Sequence, residues 1–89
     1  MTKIAENRGM SPARKEPDTS TYAGKFAVRL RSLREKAELT PEQFAEKMGV
    51  TIGTVYHWES AYSFPKVEQL ALLAGVLGLK SVKTLFPNG

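Results

Sequence analysis

From Phe26 onward, apolar positions recur with the spacing of a helix. Phe26, Leu30, Leu33 and Ala37 fall at i, i+4, i+7 and i+11, a single stripe, while Lys25, Arg29, Arg31, Glu35 and Lys36 lie mostly off it. This predicts a first helix over 22–37, with Ser20 or Thr21 as its N-cap. Thr40, Pro41, Glu42 and Gln43 form a second start signal. The Thr40 hydroxyl can accept from the Gln43 amide, Gln43 can reach back to the Thr40 amide, and Pro41 sits where no amide hydrogen is needed. The predicted second helix, 41–48, ends at Gly49, a residue able to take the left-handed conformation. Thr51 caps a third helix over 52–60, in which Val55 and Trp58, with Ile52 or Tyr56, carry the apolar spacing. Beyond Pro65, Val67, Leu70, Ala71, Ala74 and Leu77 mark the inner face of a fourth over 67–77, which Gly78 ends. Val82 and Leu85 face inward from a short fifth over 82–86. No period-2 alternation suggests a strand. The expected fold is all-α, a bundle of five helices.

Composition adds a boundary near residue 21. Residues 1–21 hold Gly9, Pro12 and Pro17 and only Met1, Ile4 and Met10 as sizeable apolar side chains, too few to offset the entropy of ordering. They are read as a disordered N-terminal tail, with the domain at 22–89. Among the 89 residues there is no cysteine and one histidine, which excludes disulfides, thiol chemistry and cysteine-ligated zinc; no metal site or cofactor is expected. The longest apolar run, residues 70–79, falls far short of the roughly 20 residues that span a bilayer, so a cytoplasmic, non-membrane protein is expected.

The most informative feature is a spacing. Where two short helices joined by a tight turn cross steeply, the contact position must be small, the turn must tolerate positive φ, and later positions must be apolar to hold the last helix down. Ala45, Gly49, Val55 and Trp58 meet these needs in order, with Phe44, Met48 and Val50 completing the core. Residues 26–86, including the run LRSLREKAELTPEQFAEKMGVTIGTVYHWES, Pro65 and a Leu-rich fourth helix, resemble the phage repressor and Cro type of helix-turn-helix domain, the XRE family.

The resemblance implies a repressor-like bundle that binds double-stranded DNA and regulates transcription, with the third helix in the major groove. Position by position, it implies a base-facing set of Thr51, Ile52, Gly53, Tyr56 and His57. Thr40, Gln43, Lys47, Thr54, Tyr62, Ser63 and Lys66 would flank the phosphates, and Arg34 and Glu59 stand where the family commonly places a bracing ion pair. With three residues left after Phe86, a stand-alone regulator similar to Cro proteins or antitoxin-type repressors is expected.

Some residues depart from that pattern. Ile52 and Gly53 stand where polar readers are usual, and residues 51–58 include no Lys or Arg, so the bidentate contact to guanine is absent from this helix. Pro41 replaces a frequent Gln, and Ala61 replaces a frequent Gly after the Glu that ends the third helix. The net charge of +4 is distributed as +1 over residues 1–21, +3 over 22–39, −2 over 40–59 and +2 over 60–89, so the reading element itself is mildly acidic. The alternative reading is therefore a protein-interaction module on the same fold, anchored by aromatics such as Tyr56, Tyr62 and Phe64. Leu72, Val76 and Phe86 either complete the monomer core or form the contact of a homodimer. Catalysis is not expected: there is no phosphate loop, no triad spacing, and Glu42 and Glu46 read as solvated surface.

Overall fold

The computed structural model describes residues 16–87. Its elements are α1 (Tyr22–Lys36), α2 (Pro41–Met48), α3 (Ile52–Glu59), α4 (Val67–Val76) and a 3-10 turn (Val82–Leu85). The all-α expectation holds with one correction. The fifth element is a single 3-10 turn, so the described residues form four α-helices. A four-residue segment started by the Ser81 hydroxyl, which accepts from the Lys83 amide at 3.0 Å, is too short to settle into α-helical pairing.

The starts of α1, α2 and α3 are set by threonines. Thr21 Oγ1 accepts from the Gly24 amide at 3.0 Å, which resolves the choice between Ser20 and Thr21. Thr40 and Gln43 form a complete capping box, and Thr51 Oγ1 accepts from the Thr54 amide at 3.2 Å. All four helices end alike, in a Schellman motif closed by a left-handed residue. Those residues are Glu38 (φ 62°), Gly49 (φ 71°), Ala61 (φ 65°) and Gly78 (φ 73°). In each, the next amide reaches back five residues: Leu39 to Arg34, Val50 to Ala45, Tyr62 to His57 and Leu79 to Ala74.

Phe26, Leu30, Phe44, Ala45, Met48, Val55, Trp58, Leu73, Leu77 and Leu85 make one buried cluster to which every helix contributes. Burying each of the larger side chains stabilises the fold by about 1.5–3 kcal/mol before conformational entropy is counted. The Phe44 and Trp58 rings meet edge to face, centroids 6.4 Å apart, where α2 crosses α3. The inner face of α4 is rotated from the predicted one. Val67 is 82% exposed and Ala71 is also at the surface, while Leu70, Leu73, Ala74 and Leu77 face the core. This helix is apolar nearly all round, so its pattern left the register open.

The C-terminal segment closes against α1. Phe86 packs on Phe26 with centroids 5.4 Å apart, Arg29 Nε donates to the Thr84 carbonyl at 2.8 Å, and the Tyr22 hydroxyl donates to the Pro87 carbonyl at 3.3 Å. Val76 and Phe86 thus pack against the monomer core, whereas Leu72 is 47% exposed.

The tail reading for residues 1–15 lies outside the described residues. Residues 18–21, which composition groups with that tail, form a turn at the start of α1. The Thr21 amide and hydroxyl both donate to the Asp18 carbonyl, and the Ser20 amide and hydroxyl donate to the Asp18 carboxylate. The Ser20 bonds hold the Asp18 carboxyl below its ordinary pKa. The turn sits so close to Gly24 that a Cβ there would lie 1.8 Å from the Asp18 carbonyl oxygen.

Candidate nucleic-acid interface

The arrangement begins with what holds α3 in place. Ala45 is buried at the α2–α3 crossing, Gly49 turns the chain, and Val55 and Trp58 anchor one side of α3 in the core. At the end of α3, Glu59 accepts from Arg34 of α1 through two bonds, Nε to Oε2 at 2.6 Å and Nη2 to Oε1 at 3.1 Å. Both residues are 5% exposed. A third bond, from Arg34 Nη1 to the Leu39 carbonyl at 2.7 Å, ties the same guanidinium to the residue preceding the α2 cap. The implied Arg34–Glu59 pairing is therefore present and buried. Its added partner, a backbone carbonyl, has no side-chain signature and could not be read from the sequence. One planar group fixes the exit of α1, the entry of α2 and the end of α3, a geometry that the fork of an arginine suits and a lysine does not.

The residues expected to face bases share α3 and its cap, but they differ in exposure. Thr51 and His57 are exposed, Gly53 and Tyr56 are half-buried, and Ile52 packs in part against the core cluster. Ile52 is therefore partly committed to holding the helix down. The Thr54 and Thr51 hydroxyls lie 3.1 Å apart, so the start of α3 carries a coupled pair of hydroxyl groups.

The residues expected near phosphates surround this helix in two groups. Thr40 and Gln43 engage each other at the start of α2, each accepting from the other's amide at 3.1 and 2.9 Å, and Lys47 is exposed near the end of α2. Tyr62, Ser63 and Lys66 are exposed on the loop that leaves α3. The His57 carbonyl accepts from both the Tyr62 and Ser63 amides, at 2.9 and 3.2 Å, and the His57 and Tyr62 rings lie 4.7 Å apart. The family pattern puts these two residues in separate sets, and nothing in the sequence signals their contact. It depends on Ala61 adopting positive φ, which the residue type disfavours.

Several cations that looked available in the sequence are engaged. Arg34 is buried in the ion pair, Arg29 is bonded to Thr84, and Arg31 pairs with Glu35 at 3.4 Å and Glu16 at 3.7 Å. Lys25, Lys36, Lys47, Lys66, Lys80 and Lys83 are exposed. Among the described residues, no three His, Asp or Glu side chains come together in a way that could hold a metal ion, and no helix is long and apolar enough to cross a membrane.

Comparison with known proteins agrees with this geometry. The helix-turn-helix family profile HTH_3 matches residues 30–84. Among solved structures, apo-HppE is 32% identical with a TM-score of 0.68, the match covering 75% of this chain and 37% of that one. FeII HppE gives the same identity and TM-score over 35% of its length, so this chain spans about a third of HppE. The clp gene regulator ClgR from C. glutamicum is 26% identical with a TM-score of 0.65, the match covering 73% of this chain and 83% of ClgR. No curated protein gives a significant match. The chain belongs to the helix-turn-helix family, in the repressor and Cro class that its residues resemble.

Proposed function

We propose that the protein is a sequence-specific, DNA-binding transcriptional regulator that acts in the cytoplasm as a repressor, placing α3 in the major groove of its operator. The observation that carries this reading is the brace of Arg34, Glu59 and Leu39, together with the Ala45 crossing. These fix α3 at one angle and leave Thr51 and His57 facing outward. A helix held in this way meets the groove at little further cost in ordering. Likeness to ClgR, a gene regulator, over most of both chains supports the same role. Thr51, Gly53, Tyr56 and His57, with the surface part of Ile52, meet base edges, and Lys47, Lys66 and the helix termini meet phosphates. Binding rather than catalysis is the function proposed.

A second reading is favoured by one observation, the lack of any Lys or Arg over residues 51–58. On that reading, α3 docks on a protein partner. A salt titration of binding to duplex DNA separates the two. Neutralising several phosphates gives a log–log slope of about −0.9 per phosphate contacted, whereas a protein-docking module binds no duplex even at low salt.

A further inference from the structure

Resting on that DNA-binding reading, we propose that Tyr62 is the positioning residue for His57, and that it holds the imidazole to donate to a purine acceptor in the major groove. The two rings are tilted by 45° with centroids 4.7 Å apart. Neither is buried: His57 is exposed, and Tyr62, at 79%, is the most exposed aromatic side chain among the described residues. Their contact is therefore not a by-product of core packing. The backbone builds it, because left-handed Ala61 reverses the chain and the Tyr62 and Ser63 amides both close on the His57 carbonyl. The neighbouring aromatic of the same loop differs, since Phe64, although 49% exposed, rests one face on buried Phe26 with centroids 4.6 Å apart.

The chemistry of α3 gives this pair its task. Without Lys or Arg on residues 51–58, the helix has no guanidinium or ammonium to offer a guanine. The Thr51 and Thr54 hydroxyls are already coupled to each other, and Thr51 Oγ1 also accepts from the Thr54 amide as the helix cap. An imidazole ring N–H is a directional donor, and N7 of guanine or adenine, with O6 of guanine, is the acceptor edge it fits. A free histidine on a helix surface samples several rotamers, and fixing one on binding costs affinity. A ring already seated on Tyr62 loses less.

The test is a double-mutant cycle in the full chain with His57→Ala and Tyr62→Leu, and Tyr62→Phe as the variant that keeps the ring. Binding is measured on the duplex selected by the wild-type protein and on random duplex, and melting temperature is followed for each variant. The expected result is a loss of about 5–10-fold on the selected duplex for each single substitution, with no further loss in the double variant. Tyr62→Phe keeps the coupling to His57, any loss on random duplex is smaller than on the selected one, and the melting temperatures stay together. Losses that multiply in the double variant, or that are equal on random duplex, overturn the inference while leaving DNA binding intact. A wild-type chain that binds no duplex overturns the DNA-binding reading, and this inference with it.

Discussion

The guanidinium of Arg34 and the carboxylate of Glu59 meet through two parallel hydrogen bonds in a site almost closed to water, joining the first helix to the end of the third. Desolvating two charges costs several kcal/mol, and their attraction repays it only while both partners are present. Glu59→Gln or Arg34→Met should therefore lower stability by about 3–5 kcal/mol, because each strands a buried charge. Denaturation midpoints check this. Losses below about 0.5 kcal/mol, the range of an exposed pair, would contradict it.

The two left-handed residues that are not glycine make a second prediction. A left-handed conformation costs an ordinary residue about 1–2 kcal/mol, and glycine's greater freedom in the unfolded chain returns part of that. Ala61→Gly should raise stability by about 0.5–1 kcal/mol, and Glu38→Gly by a similar amount. Gly49→Ala should act in the opposite direction although no atom lies within 4 Å of the added carbon, since strain and not crowding is the cause. Thermal unfolding of the three variants would show the sign of each.

Gly24 makes a third. A methyl group there meets the backbone oxygen of Asp18, which cannot swing away as a side chain can. Gly24→Ala should lift residues 16–18 from α1 and leave the core in place. Amide exchange at Thr21, whose N–H donates to Asp18, should accelerate while exchange at Leu30 and Val55 stays slow. Unchanged protection at Thr21 would count against the docked turn.

The same turn responds to acid. Its Asp18 carboxyl has a folded-state pKa held below the ordinary 3.8 by the Ser20 hydroxyl and amide. A depressed carboxyl pKa contributes stability that is fully present above the unfolded value and is lost as pH falls through the folded one. The Ser20 amide should therefore exchange faster as pH drops below about 3.8, relative to the intrinsic rate, with no such change on the alkaline side. Asp18→Asn should remove the dependence.

The elements differ in how far residue types alone determine them. The Thr40 capping box, the turn at Gly49 and the apolar stripe of α1 each depend on residue types with one strong conformational preference, and the sequence places them to within a residue. The face of α4 did not yield, because a run of Leu, Ala and Val offers the core more than one acceptable stripe. Burial went to Leu73 rather than Val67 through contacts with distant residues. Glu38 gives no sign of ending a helix for the opposite reason, and Ala61 is marked only by the glycine that the family often has there. Their local preference is against the left-handed region, and the packing of the elements that follow them overrides it. In the candidate interface, family pattern points to Arg34 and Glu59, whereas the Leu39 carbonyl and the tilted contact of His57 with Tyr62 depend on backbone geometry that no side chain announces.

If α3, braced by Arg34 and Glu59, reads DNA sequence, selection of bound molecules from a random duplex pool must show it. The expected result is an enriched motif whose affinity falls when His57 is replaced. A pool that remains unenriched at low salt, where phosphate attraction is strongest, would contradict it.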